Sequence, residues 1–208
     1  MISIIDRYNK TQHGRLIRTM HAERKRVFVD LMRWNLGHDG DQEHDRFDDD
    51  NAQYLVLCNP EDGDHLASLR LLRTDRPHLM SEIFPYLCEA GVPSASSIRE
   101  ITRFCLSPRL RAAERLRARN TLVRGMVEFG LMSGLSAYTA VCEMGFLSQV
   151  LSAGWEVNPL GLPQIVEGQM IGAFRITITP DTLSKMVASW QCSEPVLRLV
   201  EREPAIAA

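Results

Sequence analysis

No two of the five cysteines (Cys58, Cys88, Cys105, Cys142 and Cys192) form a C-x-x-C pair. That absence excludes the common zinc frameworks, and the odd, scattered set argues for reduced thiols in a cytoplasm rather than a disulfide scaffold. Charge of one sign is lacking too: the formal net charge is -2 with 24% charged residues, so no global field draws nucleic acid or an anionic membrane. Basic residues interleaved with aromatics, the usual footprint of nucleic-acid binding, are also missing. The opening M-I-S-I-I-D-R breaks its apolar run with charge, so it reads as a first strand and not as a signal or membrane span. Internal repeats and low-complexity linkers are absent, and residues 1–208 are expected to form one domain.

What is present alternates between helical and strand-like patterns. Over residues 11–34 the apolar positions Leu16, Ile17, Met20, Val27, Phe28 and Leu31 recur at helical spacing, with Arg24 in the same stripe. A polar, acid-rich loop over residues 37–50 leads into a hairpin of residues 53–58 and 65–72 about the turn E-D-G-D. On a regular pleat Arg70 shares a face with Leu66, Ser68 and Leu72. Residues 98–106 form a further strand, where the same pleat puts Glu100, Thr102 and Phe104 on one face and Ile101, Arg103 and Cys105 on the other. Glu100 and Arg103 then share a site only if a bulge re-aims one of them. A long helix over 110–133, a short strand over 137–142, a helix over 146–153, a strand over 171–179 and a helix over 182–190 complete the order. Residues 195–208 read as a helix turn and a frayed tail. Mixed β and α of this kind predicts a three-layer α/β/α sandwich around a mixed sheet.

Five motifs occur in order: H-A-E-R-K-R-V-F-V-D-L-M-R-W, E-H-D-R-F-D-D, S-L-R-L-L, E-I-F-P and R-E-I-T-R-F. Together they resemble the acyl-homoserine-lactone synthases, the autoinducer synthases of bacterial quorum sensing. The resemblance implies the fold of the Gcn5-related N-acetyltransferases, whose sheet splays at a bulged central strand. It also implies a reaction between S-adenosylmethionine and an acyl thioester on acyl carrier protein or coenzyme A, with no separate cofactor and no metal. By the same resemblance Arg24, Asp45, Asp48, Glu100 and Arg103 are the catalytic set. Asp45 and Asp48 would pair with Arg24 and Arg103, and Glu100 would act as base through water, its pKa raised by burial. Phe28 and Trp34 would pack on the sulfonium and adenine, and Arg70, Phe84 and Phe104 would support the site.

The sequence also departs from its relatives. The stretch S-P-R-L-R-A-A-E-R-L-R-A-R-N has no glycine to cradle a coenzyme pyrophosphate, and carries Arg109, Arg111, Arg115, Arg117 and Arg119 instead. These five are candidates for docking a carrier or a coenzyme phosphate; a solvated helix start is the alternative. In T-A-V-C-E (residues 139–143) no 3-oxo preference is predicted. Leu122, Met126, Met144 and Phe104 are candidates for an acyl tunnel. Ser148 and Ser152 stand where some relatives carry basic residues, which keeps a coenzyme A donor open. Two other readings fit less of the pattern: an acyltransferase acting from coenzyme A on another amine, and a catalytically silent acyl-binding relative.

Overall fold

The computed structural model describes residues 2–190 and 194–197; most of the expected tail over 195–208 therefore lies outside the described residues. The elements are β1 (Ile2–Ile5), α1 (Gly14–Arg24), β2 (His38–Asp39), β3 (Gln42–Glu43), β4 (Gln53–Cys58), β5 (His65–Arg73), α2 (Leu79–Ile83) and β6 (Ile98–Leu106). Then follow α3 (Ala112–Met132), β7 (Ala137–Glu143), α4 (Met144–Leu151), β8 (Glu156–Pro159), β9 (Gln164–Val166), β10 (Gln169–Thr177) and α5 (Thr182–Trp190). Eight strands form one sheet in the order β1-β4-β5-β6-β7-β10-β8, with β9 on β10, and β2–β3 is a separate hairpin. Among the described strands only β6 and β7 pair in parallel, so the sheet is mixed, as expected. No described helix is long and apolar enough to cross a membrane.

Alternation along the hairpin divides the core. Leu55, Leu57, Leu69 and Leu71 face α3, where Leu122, Val123, Met126 and Val127 meet them. Tyr54, Val56 and Leu72 face α1, against Leu16, Ile17 and Met20. Burying one such aliphatic side chain contributes about 1.5–3 kcal/mol, so both helices are fixed by their apolar stripes more than by propensity. The layers are α1 and α2 on one face, and α3, α4 and α5 on the other.

Two bulges change the expected faces. In the β4–β5 pair Leu57 opposes Ala67 while Cys58 opposes His65, which leaves Leu66 extra. Leu66 consequently packs into the core under α3 and not beside Arg70. In the β5–β6 pair Ser68 opposes Cys105 and Arg70 opposes Thr102, so β6 holds one residue more than β5. Arg103 absorbs the excess at φ +50°, a left-handed conformation costing about 1–3 kcal/mol for a residue with a side chain. Phe104 is turned to the α3 face with Ile101 and Leu106, correcting its expected place beside Glu100. Arg103 joins the Glu100 face instead.

Pairing between β6 and β7 stops after Ile101 and Ala140, although β6 runs on to Leu106 and β7 to Glu143. The two strands therefore diverge into a wedge at the centre of the sheet, directly beyond Glu100. The expected helix over 11–34 also ends early. At Lys25 the hydrogen bonding widens into a π-helical turn, Lys25–Leu31, and Arg33 takes φ +61°. Turns of this kind interrupt the 3.6-residue period and recur at functional sites.

Candidate active site

The loop after α1 folds back over the sheet and carries three carboxylates to three arginines. Arg24 Nε donates to Glu43 Oε2 at 2.6 Å, and its two terminal nitrogens donate to Asp48 at 2.8 and 2.9 Å. Arg70 grips Asp45 with two bonds of 2.6 and 2.9 Å, donates from Nε to Thr102 Oγ1 at 2.9 Å, and lies 2.8 Å from Asp48. Arg103 reaches Glu43 at 3.0 Å and Asp45 at 2.7 Å. Tyr54 adds a hydroxyl donated to Asp48 at 2.8 Å. With three charges of each sign, the cluster is close to neutral. It is also buried: Arg24 is 1% exposed and Arg70 and Glu43 are fully covered.

Electrostatics follow from that geometry. Burial alone would raise the Asp48 pKa, but the forked bonds from Arg24 and the charge of Arg70 hold it well below the usual carboxylate range. Asp45 is lowered in the same way, burial being outweighed by Arg70 and Arg103. Glu100 is the opposite case. It is fully covered on β6, and burial pushes its carboxyl up to about 8, the amides of Met80 and Leu79 opposing the shift. Met80 N donates to Oε1 at 2.9 Å, while Oε2 has no partner among the described residues. Facing Glu100 across the parallel pair, Thr139 is also fully covered, and its hydroxyl has no partner among the described residues. A pair of acid environments pushed to opposite ends of the scale is the usual signature of assigned acid–base roles.

The π-helical turn places Phe28 below Trp34, ring centroids 5.1 Å apart and nearly parallel at 10°. The Arg103 guanidinium lies 5.8 Å from the Phe28 ring centroid, which ties the aromatic pair to the acid–base cluster. His21, His44 and Asp48 bring ligand-type atoms within 4.8 Å of one another. Both Asp48 oxygens are already taken by Arg24, however, so this group offers a cation no free anionic ligand.

The family model for autoinducer synthase matches residues 7–185. The chain belongs to the autoinducer synthase family. It is 31% identical over 186 residues to the isovaleryl-homoserine lactone synthase of Bradyrhizobium diazoefficiens, covering 88% of this chain and 82% of that protein. Among solved structures it is similar to BjaI, a CoA-dependent acyl-homoserine lactone synthase with SAM and isopentyl-CoA, at 28% identity and TM-score 0.87. That match covers 98% of this chain and 95% of that one. A second is MesI, likewise CoA-dependent, at 25% identity and TM-score 0.84, covering 94% and 98%.

In this autoinducer synthase the expected residues fall into three groups. Arg24, Asp45, Asp48, Arg70 and Arg103 meet in one cluster, with Phe28 and Trp34 beside it and Glu100 two pairs along the β5–β6 ladder from Thr102, where Leu72 faces it. Phe84 and Phe104 end on opposite faces of the sheet. Phe84 packs near Val141 and Ile171 on the α2 face, whereas Phe104 meets Phe146 at 5.9 Å on the α3 face. The five arginines near the start of α3 also divide. Arg111 and Arg117 are exposed, but Arg109 is bound to Asp64 and Glu23, Arg115 to the Ser107 carbonyl, and Arg119 lies against Asn120 and Gln149. Leu122 and Met126 are core residues on the inner face of α3, and Met144 rests on Gly172, where a Cβ would come within 3.2 Å of its sulfur.

Sequence reasoning missed Glu43 and Tyr54. A signal for Glu43 existed: it stands two residues before Asp45 in E-H-D-R-F-D, so an extended backbone there sends both carboxylates the same way.

Proposed function

We propose that this enzyme makes an N-acyl-homoserine lactone from S-adenosylmethionine and an acyl thioester, with coenzyme A as the thiol carrier. The observation that carries the reading is Glu100: a buried acid with one free oxygen, set at the mouth of the β6–β7 wedge beside a charge-neutral cluster. The methionyl ammonium gives its proton to the Glu100 carboxylate, through water, and the freed amine attacks the thioester carbonyl. The tetrahedral intermediate collapses, its carbon–sulfur bond breaks and the thiolate leaves to take up a proton. The methionyl carboxylate then attacks the γ-carbon and the bond to the sulfonium breaks, its electron pair neutralising the sulfur of methylthioadenosine. One proton is released in total.

In this reading Asp45, Asp48, Arg24, Arg70 and Arg103 shape the head-group pocket, Phe28 and Trp34 attract the sulfonium and adenine at about 0.5–2 kcal/mol, and Phe84 and Phe104 flank the two mouths of the wedge. Arg111 and Arg117 are the side chains of the basic group free to meet an anionic carrier. The coenzyme A donor is supported by the similarity to BjaI and MesI and by Ser148 on α4 and Ser152 just after it, where a carrier-protein surface would gain from basic residues. The test is incubation with S-adenosylmethionine and panels of acyl-coenzymes A and acyl carrier proteins, followed by mass spectrometry. Methylthioadenosine together with an acyl-homoserine lactone is expected from acyl-coenzyme A. Turnover from carrier protein alone would overturn the donor, and neither product from folded enzyme would overturn the reaction.

A further inference from the structure

Three buried polar atoms without a partner among the described residues lie in one row across the sheet: Glu100 Oε2, Thr139 Oγ1 and Arg175 Nε. Glu100 faces Thr139 across β6–β7, and Thr139 faces Arg175 across β7–β10. Phe174 and Ile176 point into the core under α3, so Arg175 projects from the other face, with Ala173, Val141 and Glu100. An acid, a hydroxyl and a guanidinium thus stand side by side on the face that carries the head-group pocket.

The charges around them are unevenly spent. Of five arginines on described strands, Arg70 and Arg103 are committed to Glu43, Asp45 and Asp48, and Arg73 to Asp75. Arg99 donates to the carbonyls of Ser96 and Ile98, and opposes Tyr138, whose hydroxyl reaches into α3. Arg175 has no acid partner among the described residues. The carboxylate two pairs along, Glu156 on β8, is exposed and accepts from Asn158 and Thr177 instead. A half-buried guanidinium in this state is poised for an anion brought from outside, because a charge-assisted bond there displaces little water and replaces no internal partner.

We infer that Arg175 receives the methionyl carboxylate of S-adenosylmethionine, an assignment that rests on the reaction proposed above. The amine and carboxylate of that group are separated by a single carbon. Neighbouring strands lie about 4.8 Å apart, so the backbones of Glu100 and Arg175 are roughly 10 Å apart, a span that an amino-acid head group, a water and the long arginine arm bridge. With the amine at Glu100, the carboxylate is directed along the row past Thr139 to Arg175. Arg24, Arg70 and Arg103 cannot take this role without abandoning buried acids. Arg175 is therefore a positioning group: it holds the carboxylate aside during amide formation and keeps one oxygen directed at the γ-carbon for ring closure.

Calorimetric titration of the wild type and Arg175→Gln with S-adenosylmethionine and with its decarboxylated analogue tests this. The wild type should bind S-adenosylmethionine about tenfold or more tighter than the analogue, and the variant should lose about that factor for S-adenosylmethionine alone. Affinity for the analogue and the KM for the acyl thioester should not move, and Arg175→Lys should recover part of the loss. An equal loss for both ligands, no loss for either, or a change confined to the thioester KM would each overturn the assignment. Wild-type enzyme that binds neither ligand would instead overturn the S-adenosylmethionine reading itself, which separates the two failures.

Discussion

Replacing Glu100 by Gln probes the site through stability and turnover at once. Folded Glu100 keeps its proton until about pH 8, whereas in the unfolded chain it releases it near the ordinary 4.5. Between these values the folded state binds more protons, so the wild type loses stability as pH rises through that window. Glutamine has nearly the same shape, retains an oxygen for the Met80 amide and has no proton to lose. The stability of Glu100→Gln relative to wild type should therefore grow from pH 4.5 to pH 8 by on the order of 3–4 kcal/mol. Comparing the two proteins by urea unfolding at both pH values cancels every other titrating group. Turnover of the same variant should fall by about 10²–10⁴, the range for losing a positioned base. A stability difference that does not vary with pH would show that Glu100 ionises normally and that burial does not control it. Wild-type turnover in the folded variant would remove it from the chemistry.

Arg24→Met leaves Glu43 and Asp48 buried without their main partner and should cost about 3–5 kcal/mol by denaturant midpoint. That penalty should shrink in acid, where Asp48, held low by Arg24 in the wild type, takes up a proton and no longer needs the guanidinium. At the bulge, Arg103→Gly and Arg103→Ala both lose the bonds to Glu43 and Asp45, but glycine relieves the +50° φ. The glycine variant should be the more stable by about 1 kcal/mol, with turnover suppressed in both. Reversing Arg111 and Arg117 to Glu should raise the KM for the acyl thioester at low salt, and the difference from wild type should fade as salt is added; the KM for S-adenosylmethionine should stay unchanged.

Much of the scaffold is legible because burial imposes a period on the residues. The strands Gln53–Cys58 and Ile98–Leu106 and the helix Thr182–Trp190 fall where the pattern puts them. The bulge that unites Glu100 with Arg103 was implied by resemblance alone, since a regular pleat separates them. Features without a period stayed hidden. The two-residue strands β2 and β3 carry Glu43 into the cluster but are too short for any alternation to register. The five-residue helix α2, which holds Glu100 by an amide, is shorter than two turns. The π-helical turn looks like continued helix because Val27, Phe28 and Leu31 keep helical spacing, yet its wider hydrogen bonding is what brings Phe28 under Trp34. Arg24 in its helical stripe and Arg70 on its strand are assigned to the site by resemblance alone, because only tertiary contacts supply their acids, and Arg175 stayed unremarked because its significance lies in the absence of an acid partner among the described residues.

The neutral cluster and the high-pKa acid are complementary parts of one device under the proposed reaction. A pocket already carrying net negative charge would bind S-adenosylmethionine tightly but would keep its ammonium protonated. Here the six charges of the cluster cancel, and the acid nearest the reacting amine is uncharged until the pH approaches 8. A bound sulfonium and ammonium add positive charge next to Glu100, and nearby positive charge favours its ionised form. Substrate binding therefore creates the base when it is needed. The consequence is measurable in pH profiles, since kcat/KM reports the free enzyme and kcat the complex. The rising limb of kcat/KM should have its midpoint near the free-enzyme value, and that of kcat should lie at lower pH. Coincident midpoints would mean that the bound cation does not reach Glu100, and the base would have to be sought elsewhere along the wedge.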